Sequence, residues 1–321
     1  MGRAWRIEYE GALYHILSRG NEQRDIFYDD QDRLLFLATI GEMSERFEID
    51  VFAYVLMGNH YHMLLKTNRA NLSKSMQWLG VTYTRRFNLR HFRSGHLFQG
   101  RFKSIIVQND AYLMRLSCYI HRNPLRAGIV KRLADYRWSS YKAYAYGDRA
   151  PEWLITKQIF SQFKGMDKYK AYREKVQRYA KEEKKLLEDL RYGMIIGSKK
   201  FVDKIRNTYL PEKPHKEIHQ QRALAKHFDP VVRLKEAAKI LDCDLDHFRR
   251  VSRITKTERD DRDLLVFSVW KTGMLTNNEI GNLFGMTYSS VSHIVKTVRV
   301  KIEEDRDLKK KYGKIYSLFQ S

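Results

Sequence analysis

Residues 51–66, VFAYVLMGNHYHMLLK, decide how the first half of the chain folds. Two apolar runs flank Gly58-Asn59, a pairing typical of a tight hairpin. The runs are predicted as strands over 50–57 and 60–66. Alternate residues of a strand share a face. His60 and His62 therefore present two imidazoles side by side, with Tyr61 opposite. Alone, such a pair fits an exposed polar strand face as well as a chelate for a divalent cation.

The periodicity extends outward from this hairpin. Residues 12–18, ALYHILS, read as a strand, and 29–47 as a helix that opens on acids. Residues 71–90 read as a helix with Leu72, Met76, Leu79 and Tyr83 along one face, and 102–108 as a fourth strand. A further helix over 110–120 is expected to stop near Asn123-Pro124, because proline disfavours helix in the residue before it. The order β-α-β-β-α-β-α is that of a split βαβ, ferredoxin-like antiparallel sheet with an added helix, an α+β fold. Residues 129–150 are expected to close this domain. Residues 151–229 read as a helical extension and linker, 230–305 as an all-α domain, and 306–321 as a basic tail. His215 and His219 stand four apart in the linker with no third ligand near, and read as a chance pairing.

Bulk properties narrow the function. A chain of 321 residues is long for one core, so two or three domains are expected. No apolar run is long enough for a membrane span, and the first residues lack a signal-peptide core. Two cysteines argue against a disulfide framework and for a reducing, cytoplasmic setting. The dominant signal is charge: 60 Lys+Arg against 38 Asp+Glu give a net charge of +22. Such an excess favours a polyanion, nucleic acid above all. From Arg85 to Lys142 there are 13 Lys and Arg against two Asp, with aromatics interleaved. That mixture suits single-stranded nucleic acid, where cations track phosphates and rings stack on bases. Candidate contacts are Arg85, Arg86, Arg90, Arg93, His96, Arg101, Lys103, Arg122 and Arg126.

The predicted helix over 110–120 runs into CYIHRNP. Tyr119 and Asn123 are four apart and share a helical face if the last turn holds. The Asn123 carbonyl is a hard ligand suited to Mg2+ or Mn2+. His60, His62, Asn123 and Tyr119 together form a set for phosphoryl transfer: the metal polarises a phosphodiester oxygen and the phenol attacks phosphorus. Tyr119 also fits plain core packing. Tyr112, seven residues earlier, shares nearly the same face, whereas Tyr83 is expected in the core. His121 is expected to point away from this face, toward phosphate or solvent.

MGNHYHMLL resembles the two-histidine motif of single-tyrosine HUH nucleases. RIEYEGALYHILSRGNEQRDIF, SGHLFQGRFKSIIV and YIHRNPLRAGIV resemble the surrounding blocks of REP-associated tyrosine transposases, of the IS200-like family. The resemblance covers about residues 1–155. It implies that His60 and His62 bind a divalent metal, that Tyr119 is the nucleophile, and that Asn123 completes the metal site. It also implies a 5′-phosphotyrosine intermediate on single-stranded DNA beside a folded palindrome. Gly58 departs from the proline that many relatives carry there, and Tyr61 is expected to pack behind the sheet.

A second signal lies at 275–305, LTNNEIGNLFGMTYSSVSHIVKTVRVKIEED. Thr276 and Glu279 have the capping-box spacing, Gly285 sits at a helix end, and Thr287 caps a second helix. This is helix-turn-helix spacing. Tyr288, Ser289, Ser290, Ser292, His293 and Lys296 would face a major groove. The segment 232–303 resembles the duplex-binding domain of the bacterial initiator DnaA. TYSS stands where that family's recognition helix carries DHT, so no base contact carries over.

The expected whole is a bacterial, nucleoid-associated, metal-dependent DNA nuclease and strand transferase, monomeric or homodimeric. It is read as soluble, with no membrane partner. The alternatives are a non-catalytic, domesticated DNA-binding regulator, or an RNA-processing enzyme on the same sheet.

Overall fold

The computed structural model describes residues 5–108, 111–163, 165, 167–179, 190–212, 221, 224–225, 229–251 and 254–319. The chain divides into two compact units, Arg6–Val202 and one built chiefly from Asp203–Ser321. His215 and His219 lie outside the described residues.

The first unit is built on β1 (Leu13–Arg19), β2 (Ile49–Leu56), β3 (His60–Thr67) and β4 (Lys103–Val107). Helices α1 (Asp30–Phe47), α2 (Leu72–Arg90) and α3 (Ala111–Arg126) separate or follow them. With two further short strands, β5 (Leu190–Arg191) and β6 (Ile195–Ile196), the sheet order is β2-β3-β1-β4-β6-β5. Its first four strands are antiparallel, with β3 inserted between β1 and β2. This is the split βαβ arrangement expected. The two short strands extend it: β6 pairs parallel with β4, and β5 pairs antiparallel with β6. Strands of two residues carry no readable alternation, so the sequence did not announce them.

Local chemistry sets the element ends. The Asp29 carboxylate accepts from the Asp32 backbone N–H and opens α1, while Glu48 closes it at φ 54°. One sheet face is filled by aromatic rings. Tyr61 of β3 lies against Phe36 at 4.8 Å between centroids, and Phe36 against Tyr83 at 4.8 Å. All three are buried, and each burial contributes roughly 1.5–3 kcal/mol. Tyr83 also donates to the Ile26 carbonyl at 2.6 Å. Tyr61 thus packs behind the sheet, and His60 and His62 are left to the other face, where α3 lies.

α3 does not stop before Pro124. It runs through the proline to Arg126. Pro124 has no N–H to give the Ile120 carbonyl. The Asn123 side chain supplies the missing donor: its Nδ2 reaches the Ile120 carbonyl at 3.1 Å and the Tyr119 carbonyl at 3.0 Å. The break is repaired one residue ahead of where it arises.

His121 also departs from expectation, since it is buried and meets neither phosphate nor solvent. Its Nδ1 bonds the Tyr172 hydroxyl at 2.6 Å and its Nε2 the Ser140 hydroxyl at 2.7 Å. Tyr172 belongs to α6 (Lys168–Tyr179), after the short helices α4 (Tyr141–Ala145) and α5 (Lys157–Phe160). Ser140 Oγ accepts from the Tyr54 backbone N–H of β2 at 3.0 Å. One imidazole therefore ties α3 to both α6 and the sheet. Residues after 150 pack within this unit as well: the Ile155 N–H donates to the Val51 carbonyl at 2.8 Å.

The second unit is helical where described. Its helices are Pro230–Ile240, Leu245–Arg250, Lys256–Lys271, Asn277–Phe284, Tyr288–Glu304 and Arg306–Tyr316. Leu264, Leu265, Ile280, Phe284, Val291 and Val298 share its core. The stretch expected as a basic tail is largely the last of these helices, and its Leu308 and Ile315 enter that core. Among the described residues, no helix is long and apolar enough to cross a membrane.

Candidate active site

β1 and β3 place the two histidines. Arg19 pairs with His60, and Leu17 with His62, so His15, Arg19, His60 and His62 lie on one sheet face. His62 is buried and His60 half-buried. Each ring has its Nδ1 already engaged. His60 Nδ1 lies 2.7 Å from Asn59 Oδ1, and His62 Nδ1 lies 3.0 Å from His15 Nε2. Asn59 is itself fixed, because its Nδ2 donates to the Gln23 carbonyl at 2.9 Å. Nε2 of each histidine is thereby the nitrogen presented to a ligand.

Burial and neighbouring cations hold these rings neutral. Desolvation pushes His15 down to about 4. Desolvation, then the Arg19 guanidinium, lowers His60. His62 falls well below the usual imidazole range through desolvation, then His15, His60, Arg126 and Arg19. A neutral imidazole keeps the lone pair a metal needs.

α3 lays Tyr119 beside this pair. Its ring meets His15 edge-on at 5.8 Å and His62 at 6.3 Å between centroids. The Arg126 guanidinium sits 4.8 Å from the centre of the Tyr119 ring, within cation–π range. Asn123 is one turn beyond Tyr119 and buried. With Nδ2 committed to two carbonyls, its Oδ1 is the end left to meet a ligand.

The donors fit a divalent cation. Two imidazole nitrogens and an amide oxygen suit a borderline ion such as Mn2+. Among the described residues, no group of three His, Cys, Asp or Glu is arranged for a metal. An amide oxygen such as Asn123 Oδ1 would be the further donor beside the two histidines. Of the competing tyrosines, Tyr83 is core, and Tyr112 is half-buried beneath Arg115, whose guanidinium lies 5.2 Å from its ring.

The candidate DNA contacts separate into two groups. Arg85, His96, Arg101, Lys103 and Arg126 are exposed. The loop carrying His96 is tied to the site end of β1, where the Asn21 N–H donates to the Leu97 carbonyl at 2.9 Å and the Gln99 N–H to the Arg19 carbonyl at 3.0 Å. Four arginines turn to partners within the fold. Arg86 pairs with Glu42 at 2.7 Å, and Arg90 with Asp29 and Asp32, each at 2.7 Å. Arg93 donates to the Tyr28 hydroxyl at 2.9 Å, and Arg122 to the Val176 carbonyl at 3.3 Å. Charge counting along the sequence did not see these partners.

In the second unit the Thr276–Glu279 capping box is formed, Gly285 takes φ 70°, and the Thr287 hydroxyl accepts from the Ser290 N–H. Tyr288, Ser289, Ser290, His293 and Lys296 are exposed on the helix that follows. Ser292 is half-buried and accepts from Asn277 at 2.9 Å.

Sequence reasoning missed His15, Arg19 and Asn59. His15 lay on the strand predicted over 12–18, where alternation gives it a face, whereas Arg19 stood one residue beyond that strand, which the structure extends to Arg19.

Three comparisons with known proteins gave matches. The family described as "Transposase IS200 like" matches residues 8–123. A REP-associated tyrosine transposase of Haemophilus influenzae is 23% identical over 128 residues, spanning 36% of this chain and 73% of the relative. The solved structure of a REP-associated tyrosine transposase bound to a REP hairpin is 17% identical, with a TM-score of 0.40, covering 49% of this chain and 96% of the other. The matched residues span β1 to Asn123 and so contain both histidines and Tyr119. The residues that hold this site, 8–123, are thus similar to the IS200-like transposases.

Proposed function

We propose that the sheet unit is a nicking and joining enzyme for single-stranded DNA, acting beside hairpin-forming palindromes. Tyr119 is the nucleophile, and His60, His62 and Asn123 hold Mg2+ or Mn2+. The observation that carries this reading is the contact of the Tyr119 ring with the paired rings of His15 and His62. A nucleophile thereby stands beside nitrogens free to coordinate. The palindromic target follows the REP-associated relatives.

A bound cation would polarise a non-bridging phosphate oxygen and offset the charge that builds there. The chain's own residues do the rest. Arg19 and Arg126, whose charges already bear on His62, draw the phosphodiester toward the histidine face. Tyr119 Oη attacks phosphorus and the P–O3′ bond breaks. The phenol's proton is lost and the departing 3′ oxygen gains one, leaving a 5′-phosphotyrosine and a free 3′-OH. Attack by a 3′-OH on that linkage reverses the step and rejoins or transfers the strand. Arg85, His96, Arg101 and Lys103 would guide the strand, while the helix Tyr288–Glu304 grips duplex DNA through its exposed first turns.

Tyr119→Phe tests the assignment. A labelled oligonucleotide with hairpin flanks forms a covalent adduct with the wild type and none with the variant. An adduct at the wild-type rate refutes the nucleophile assignment, and a matching RNA oligonucleotide separates DNA from RNA processing. The exposed recognition helix supports a second reading, a non-catalytic regulator. That reading predicts sequence-specific duplex binding with no cation-dependent cleavage.

A further inference from the structure

Each candidate metal histidine has its Nδ1 engaged by another side chain, His62 by His15 of β1 and His60 by its chain neighbour Asn59. We propose that His15 and Asn59 are positioning residues: they fix His62 and His60 as Nδ1–H tautomers and so aim both Nε2 lone pairs at one cation. This rests on the metal-site reading above.

The Asn59 half follows from hydrogen-bond polarity. An amide Oδ1 only accepts, so His60 Nδ1, 2.7 Å away, must donate. The amide cannot turn over, because its Nδ2 is held by the Gln23 carbonyl at 2.9 Å. That carbonyl is held in turn by an unusual backbone, since Glu22 and Gln23 take φ 55° and 62°. Left-handed φ in two successive non-glycine residues carries a steric cost. Here it places the acceptor that orients Asn59.

The His15 half is a choice between two states. His15 Nε2 and His62 Nδ1 are 3.0 Å apart, with the rings inclined by 21°. Either ring could donate. If His15 donates, His62 carries its proton on Nε2 and cannot coordinate. If His62 donates, its Nε2 is bare and can coordinate. Coordination at Nε2 requires the second state, and His15, as the acceptor, holds His62 in it before a cation arrives. Ligand histidines depend on such partners, whose loss commonly weakens metal binding about 10–100-fold.

Mn2+ binding to the full chain, followed by electron paramagnetic resonance without DNA, tests this apart from cleavage. His15→Leu removes the acceptor and is expected to weaken Mn2+ binding about 10–100-fold. His15→Gln, which returns an accepting oxygen, should recover most of that loss. Nitrogen NMR of the metal-free wild type reads the tautomer directly, whatever the stability of the variants. Wild-type Mn2+ affinity in His15→Leu, or a proton on His62 Nε2, overturns the inference. Undiminished Mn2+ binding by the His60→Ala/His62→Ala double variant instead refutes the metal-site reading beneath it.

Discussion

Replacing His121 by glutamine should give a stability defect that fades in acid. His121 bonds Tyr172 at 2.6 Å and Ser140 at 2.7 Å in a buried site. A glutamine amide reaches one of these hydroxyls well and leaves the other poorly served. An orphaned buried hydroxyl costs about 1–3 kcal/mol, which is the expected loss at pH 8. Desolvation pushes His121 down to about 3, against about 6.5 in an unfolded chain. The folded state binds the proton more weakly than the unfolded one. Above about pH 6.5 this difference contributes nothing. As pH falls from there toward 3, unfolding takes up a proton, and stability drops by about 1.4 kcal/mol per pH unit. At pH 5 the wild type has lost about 2 kcal/mol through this one ring. His121→Gln has no ring to titrate, so its deficit should shrink by that amount and nearly vanish. Urea unfolding at pH 8 and pH 5, followed by tryptophan fluorescence, measures both gaps. Three of the five tryptophans, Trp78, Trp138 and Trp153, belong to this unit. An equal gap at the two pH values would show that His121 is not held neutral, and the network would lose its account.

His15 is pushed down to about 4, so His15→Gln should likewise flatten the acid limb of stability between about pH 6.5 and 4, read in the same titration. Gly58→Pro should leave cleavage intact or better: a Cβ there meets only the movable Asp25 carboxylate, at 2.8 Å, and a large loss of adduct formation would mean that the turn needs glycine. Gly285→Ala should destabilise the helical unit by about 1–2 kcal/mol, since φ is 70° and the added Cβ comes within 3.2 Å of the Arg249 backbone; unchanged unfolding of that unit would contradict the strain. Lys296→Ala should weaken duplex binding about equally for all sequences and reduce the salt slope by about one, and a sequence-dependent loss would make Lys296 a base reader.

The sheet and its helices were legible because each element is long enough to repeat its pattern. β3 is a run of eight residues and α2 of nineteen. β5 and β6, two residues each, have no period to read. The candidate site was legible where it follows local spacing, as with His60/His62 and Tyr119/Asn123. It was hidden where it depends on register between strands. His15 meets His62 only because β1 lies beside β3 with Leu17 opposite His62, a pairing that neither strand's own pattern determines. The basic stretch misled in a related way. Arg90 looked available to DNA, but Asp29 and Asp32 lie at the opening of α1, some sixty residues earlier.

Asn123-Pro124 joins the two levels. Read in sequence, the proline ends a helix, and an asparagine beyond the last sound turn is poorly placed as a ligand. In the structure the asparagine is what lets the helix continue. A leucine or aspartate there could not donate to the Ile120 carbonyl that Pro124 leaves bare. Once Nδ2 is committed to the helix, Oδ1 has one course left, away from the backbone. The same two bonds that repair α3 therefore orient the proposed ligand. They also bind its position to that of Tyr119, whose carbonyl is one of the acceptors. A change at Asn123 cannot be a pure loss of ligand. Asn123→Gln keeps both chemical groups on a longer arm, and it should separate helix repair, seen in unfolding, from cation binding, seen in Mn2+ titration.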